Sequence, residues 1–93
     1  MHRIIFYYFR FSVSQSLSIV SFGFYGPFSN KPATYRASIK IQDDLPEPRD
    51  LAEASEEVIA LPRDIFHVKF PKPVPVQANK WYRAWFAVKV SAI

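Results

Sequence analysis

The sequence has no cysteine, and its 93 residues include only two glycines and two histidines. Without cysteine, the chain can form neither disulfides nor thiolate metal sites. Small secreted domains are often held together by disulfides, so we expect a reducing, cytoplasmic location. His2 and His67 lie far apart, with no carboxylate at ligand spacing. We therefore predict no metal site and no cofactor.

Long apolar runs are also absent. The run at residues 4–9 has six members and ends at Arg10. A membrane-spanning helix needs about 20 apolar residues, so none is predicted. No small-residue cleavage site follows the run, and its aromatic content is more typical of a strand than of a signal peptide.

Catalytic arrangements are missing as well. Several serines occur, but none lies in a nucleophile elbow, and no histidine is placed to act as their base. The adjacent carboxylates at 43–44 and 56–57 lie in polar segments, where they are poorly tuned for acid catalysis at neutral pH. Large aromatic residues separate Gly23 from Gly26, which excludes a phosphate loop. We predict no enzymatic activity and no small-molecule substrate.

What the chain does have is apolar residues, 49% of the total, with 17% aromatic, which is enough for one small packed domain. Its net charge of +4 is unevenly distributed, because every acidic residue except Asp64 lies between Asp43 and Glu57. Most basic residues alternate with apolar ones, which is typical of the solvated face of a sheet and disfavours nucleic acid as a partner. The alternative is a basic sheet that binds nucleic acid or anionic lipid.

Alternation of apolar and polar residues with period 2 indicates strands covered on one face. The segments with this pattern are residues 9–14, 35–42, 65–70 and 81–90. Residues 17–24 are apolar on both parities, which predicts an interior strand covered on both faces. Prolines at 71, 73 and 75 place their segment at a sheet edge or at a crossing between sheets. We predict an all-β fold, an antiparallel β-sandwich.

One segment disagrees with this pattern. Leu51, Ala54, Val58 and Leu61 fall at helical spacing after Asp50, which could cap a helix. This spacing predicts a short helical turn near residues 50–57. The alternative is a short strand at 58–61 that follows a solvated acidic loop.

Exposed aromatic residues beside loops are common anchors of protein interfaces. The candidate binding loop follows a corner with two glycines and consists of Tyr25, Gly26, Pro27 and Phe28. The alternative places Pro27 and Phe28 in the core. In so glycine-poor a chain, Gly23 and Gly26 are expected to mark turn positions that tolerate no Cβ.

A second turn is predicted at residues 78–80, where Asn79 can adopt positive φ. Trp81 and Trp85 follow it on the more polar parity of the last strand. We expect these tryptophans to cover the second face of the sandwich as core. The alternative is a sugar-binding sandwich in which they serve as stacking platforms.

The order of these segments resembles the PHR domain, the module named after Pam, Highwire and their relatives. The family pattern I-x-F-S-V is similar to Phe-Arg-Phe-Ser-Val at 9–13, and G-F-G-x-Y-G is similar to residues 21–26, with Ser21 for the first glycine. A tyrosine opens the alternating strand at 35–41, and F-x-V-x-F-x-x-P-V fits residues 66–74. The closing P-N-x-x-Y turn is matched by Asn79 and Tyr82, with Ala78 for the proline.

The resemblance implies an antiparallel β-sandwich that binds proteins and has no catalysis of its own. PHR domains occur in large ubiquitin ligases and in BTB-domain adaptors of cullin ligases, so a role in recruiting substrates or partners is implied. Residues 1–8 are unlike the family, and its closing strands are missing. We therefore divide the chain into an atypical segment, 1–8, and a partial, truncated PHR-like domain, 9–93. A non-functional domain fragment is a further alternative.

Overall fold

The computed structural model describes residues 2–91, together with the side chains of residues 6–90. This part of the chain forms six β-strands and no helix, so it contains no helix long and apolar enough to cross a membrane. The strands are β1 (His2–Phe11), β2 (Leu17–Tyr25), β3 (Ala33–Asp43), β4 (Asp50–Ala60), β5 (Ile65–Val76) and β6 (Tyr82–Ser91).

The strands form two antiparallel sheets that pack against each other. One sheet has four strands in the order β1-β6-β3-β4, and the other consists of β2 and β5. The predicted all-β antiparallel sandwich is confirmed. The central strands β3 and β6 are those with the most regular alternation in the sequence, because each must bury one full face while the other face meets solvent.

The core lies between the two sheets. Phe86 on β6 joins them, since its ring contacts Phe22 and Phe24 of β2 edge to face at centroid distances of 4.9 and 5.3 Å. Alternate residues of β3, β5 and β6 supply most of the remaining core: Ala37, Ile39, Ile41, Val68, Phe70, Val74, Val76, Tyr82, Ala84 and Val88.

Strand β2 is not the interior strand predicted from its apolar residues on both parities. It pairs with β5 alone among the described residues, and its Val20 side chain is 57% exposed. One face of β2 packs on the larger sheet and the other meets solvent. Its partner β5 contains the prolines and, within residues 2–91, pairs with β2 alone, which confirms the predicted edge position for residues 71–75.

The predicted helical turn near residues 50–57 is wrong, because Asp50–Ala60 forms strand β4. Pairing with β3 outweighs the helical spacing. Glu57 lies directly opposite Arg36, and Glu53 directly opposite Lys40. Opposite charges across an antiparallel pair stabilise it. The alanines on the other parity of β4 allow this strand to pack closely over the core.

Candidate functional site

The candidate loop at residues 25–28 has an exposed residue at each end and two more buried residues between them. Tyr25 ends β2 with an exposed side chain, and Phe28 is 86% exposed. Between them, Gly26 is buried and Pro27 is half-buried. The structure thus places Phe28 on the surface and not in the core, beside a backbone that is held in place.

The turn between β4 and β5 holds this backbone. The Gly26 N–H donates to the Asp64 carbonyl over 2.7 Å, and the Arg63 N–H donates to the Pro27 carbonyl over 3.0 Å. Arg63 adopts φ 58°, which turns the chain sharply between the two strands. A Cβ on Gly26 would overlap the Leu61 carbonyl oxygen. Close backbone approach therefore requires glycine at position 26.

The prediction that Gly23 marks a turn is wrong, because Gly23 lies inside strand β2, directly opposite His67. A Cβ there would lie 3.2 Å from Cε1 of His67, whose ring is exposed on β5. An exposed side chain can shift by a few tenths of an ångström, whereas the Leu61 backbone cannot do so without moving the turn. Only Gly26 of the two lies against fixed backbone.

Further apolar side chains surround the loop at this end of the sandwich. Tyr25 lies directly opposite Ile65 across β2 and β5, and Ile59 and Leu61 follow from the end of β4. All of these side chains are half-exposed or more. We name this surface the loop-end patch: Tyr25, Phe28, Ile59, Leu61 and Ile65. Ile59, Leu61 and Ile65 also line a cleft of about 120 Å³, which has room for a single side chain.

Sequence reasoning missed Ile59, Leu61 and Ile65 as members of this patch. A signal was present for two of them. Ile59 shares the parity of Glu53 and Glu57 on β4, and Ile65 shares that of His67 and Lys69 on β5. An apolar residue on the otherwise polar face of a strand indicates an exposed contact surface.

The other predicted turn lies at the opposite end of the sandwich. Asn79 has φ 60°, and its N–H donates to the Val13 carbonyl over 2.8 Å. The neighbouring Ala78 N–H donates to Oγ of Ser16. These bonds tie the β5–β6 turn to the connection between β1 and β2, so Asn79 holds the scaffold far from the loop-end patch.

The expectation that the tryptophans form core is wrong. Both Trp81 and Trp85 are exposed on the outer side of the four-stranded sheet. The even-numbered residues of β6 face the core, so the odd-numbered ones face outward. The Arg10 guanidinium lies 4.8 Å from the Trp81 ring centroid. Trp85 packs against Tyr8 at 4.4 Å and donates from Nε1 to the Gln42 side chain over 2.7 Å. One side of each ring is therefore occupied.

Acidic side chains neutralise much of the basic sheet face. Arg10 and Arg83 both contact the Asp44 carboxylate over 2.6 Å. Hydrogen bonds from Arg83 and Arg10 hold the pKa of Asp44 below its usual value, and the same carboxylate raises the pKa of Arg83.

The same neutralisation continues along β3 and β4. Arg36 pairs with Glu57 at 3.6 Å and Lys40 with Asp50 at 3.4 Å. The uneven charge distribution of the sequence thus becomes a set of local pairs across neighbouring strands. Among the described side chains, those of residues 6–90, no three histidines or carboxylates come together as a metal-ligand set.

Comparison with known proteins identifies the fold. No curated protein matches the chain. A family model, described as the PHR domain, matches residues 8–92. The match begins inside β1, which runs through the boundary expected between residues 8 and 9 without a break. Because this model covers nearly all of the sequence, the chain belongs to the PHR domain family.

Proposed function

We propose that this PHR domain is a non-catalytic protein-interaction module that binds its partner through the loop-end patch. The observation that carries the proposal is the clustering of exposed apolar side chains at one end of the sandwich, with Phe28 86% exposed. Contiguous apolar surface of this kind marks interaction sites in soluble proteins. The exposed rings of Tyr25 and Phe28 are of the residue type that often anchors interfaces.

The rigidity of the loop backbone also supports this role. Gly26 and Pro27 are hydrogen-bonded to the β4–β5 turn, so the two aromatic side chains project from a fixed support. Binding then orders only side chains, and the entropy lost on association is smaller than for a flexible loop.

We further propose that the partner is a substrate or a component of a ubiquitin ligase in the cytoplasm. Family membership supports this proposal, since PHR domains occur in ubiquitin ligases and BTB adaptors. The paired cations of the outer sheet face argue against the alternative of nucleic acid or anionic lipid, because such ligands require unpaired positive charge.

Affinity capture with tagged protein tests the proposal. The bait is the wild-type chain, Phe28→Ala, Tyr25→Ala or the control Val20→Ala, each incubated with cell extract and analysed by mass spectrometry. Val20 is exposed in the middle of β2, outside the loop-end patch. We expect ligase subunits or substrates to be retained by the wild type and by Val20→Ala, and to be lost from both patch variants.

Two results would contradict the proposal. If all four baits capture the same proteins to the same extent, the loop-end patch is not the binding surface. If the wild type captures no protein above the empty resin, the chain is not an independent interaction module and agrees better with a domain fragment. Circular dichroism of each bait shows beforehand that it is folded.

A further inference from the structure

Strand β1 forms an edge of the four-stranded sheet and carries four consecutive aromatic residues. Phe6 is 70% exposed, Tyr7 55%, Tyr8 46% and Phe9 43%. Successive side chains of a strand point to opposite faces, so rings are exposed on both sides of this edge. Among the described residues, β1 pairs with β6 alone, and its other row of backbone groups has no strand beside it.

The two edges of this sheet differ in how they are protected. Strand β4 carries Asp50, Glu53, Glu56 and Glu57, and this concentration of negative charge opposes pairing with a second β4. Residues 4–9 of β1 contain neither charge nor proline. A long apolar edge of this kind is a template for a further strand.

We propose that β1 pairs antiparallel with β1 of a second copy of this chain, which joins two sheets into one of eight strands. Directly opposite residues of an antiparallel pair share a face, so the twofold axis must pass between a residue and its own copy. An axis at Tyr7 places the two Tyr7 side chains opposite each other. It also places Phe6 opposite Tyr8 of the partner subunit, and Tyr8 opposite Phe6 of the partner subunit.

This register gives three aromatic pairs, as many as an axis at Tyr8, and it sets no charged residue opposite any of the four rings. An axis at Tyr8 would set Phe6 against Arg10, and an axis at Phe6 would leave Tyr8 opposite an aliphatic residue. Aromatic pairs across strands stabilise a sheet. The Tyr7 register also keeps Arg10, which already contacts Asp44, outside the aromatic segment.

The exposed area suits a weak, reversible dimer. An aromatic side chain carries about 150–250 Å² of surface, so these four rings expose on the order of 400 Å² in each copy. With the backbone edge included, a symmetric pair buries at most about 1,000 Å², the lower end of the range for a specific interface. Each β1 edge is paired with the other in the twofold arrangement, so no β1 edge remains for a third copy and assembly stops at the dimer.

Sedimentation velocity across the micromolar concentration range tests the assembly. The wild type should change from monomer to dimer as concentration rises, and Phe6→Lys should weaken dimerisation about tenfold or more, since it places charge in the interface. Val20→Lys replaces an exposed apolar strand residue outside the interface and should dimerise like the wild type. A wild type that remains monomeric throughout overturns the proposal, as does self-association that Phe6→Lys leaves unchanged.

The register is tested by cross-linking, because the chain has no cysteine of its own. In Tyr7→Cys the two thiols face each other, with Cα atoms about 5 Å apart, within the range for a disulfide. In Tyr8→Cys they lie two residues out of register, about 8 Å apart and beyond that range. We expect mild oxidation to give a covalent dimer rapidly from Tyr7→Cys and slowly from Tyr8→Cys. Equal rates, or the reverse order, would overturn the proposed pairing.

Discussion

Asp43 and Arg49 close the loop between β3 and β4 with three hydrogen bonds. The fully buried Asp43 carboxylate accepts from the Arg49 backbone N–H over 2.8 Å and from Arg49 Nε over 2.9 Å. The Asp43 N–H donates in return to the Arg49 carbonyl over 3.2 Å. A buried carboxylate must be paired and hydrogen-bonded to be tolerated. This pair therefore fixes the loop that presents Asp44 to Arg10 and Arg83.

Replacing Asp43 with asparagine should lower the thermal unfolding midpoint at neutral pH, because the amide N–H₂ would face one of the two Arg49 donors. The pKa of Asp43 lies below its ordinary value of 3.8, chiefly through the hydrogen bond from the Arg49 backbone. A lowered folded-state pKa stabilises the protein at neutral pH, and this stabilisation is lost as the pH falls below about 5.

Thermal unfolding of both proteins at about pH 7 and about pH 3 measures this effect. The difference in midpoint between wild type and Asp43→Asn should shrink in acid, because the unfolded chain binds a proton at Asp43 near the ordinary pKa of 3.8, before the folded protein does. A difference that stays constant with pH would show that shape, and not charge, determines the role of Asp43.

The two arginines that share Asp44 should differ in their contribution. The Arg83 side chain is 26% exposed and that of Arg10 52%, so solvent screens the Arg10 pair more strongly. We expect Arg83→Ala to lower the unfolding midpoint more than Arg10→Ala. Arg10→Ala should instead shift the tryptophan emission, because it uncovers the Trp81 ring. Equal midpoints for the two variants would contradict this ordering.

Replacing each of the two glycines with alanine gives a matched pair of variants whose stabilities can be compared. Gly26→Ala places a methyl group against the Leu61 carbonyl, and forcing atoms into such a space costs about 1–3 kcal/mol. Gly23→Ala meets the movable His67 ring and, at an ordinary contact distance of 3.4 Å, the Ile65 side chain, so it should cost less. Urea unfolding of both variants measures the difference. If Gly23→Ala is the more destabilising, the β4–β5 turn is more adaptable than the structure indicates.

The strands could be predicted from the sequence where one face of the strand lies in the core and the other meets solvent. In β3 and β6 every second residue enters the core, so the period of the pattern identifies the strand. In β4 this signal is weak, because alanines at 52 and 54 serve in a helix as well as in a strand. Pairing with β3, which lies elsewhere in the sequence, decided the structure there.

The candidate site was predicted only in part for a similar reason. The glycine corner indicated Tyr25 and Phe28, since local turn chemistry is visible in the sequence. Which strand ends meet around that corner depends on topology, so Ile59 and Ile65 could not be assigned to the same patch. The tryptophans were misplaced because large aromatic residues are usually buried, whereas these pack on the outer face beside Tyr8 and Arg10.

Replacing isoleucine with alanine should lower stability at Ile41 and partner binding at Ile59. Ile41 is fully buried in the core, so Ile41→Ala should cost about 2–5 kcal/mol of unfolding free energy. Ile59 is 73% exposed in the loop-end patch, so Ile59→Ala should change stability by less than about 0.5 kcal/mol. Urea unfolding measures both values, and capture of partner protein per folded molecule should fall for Ile59→Ala alone. If Ile59→Ala binds like the wild type while Phe28→Ala does not, the contact is confined to the loop and does not extend to β4.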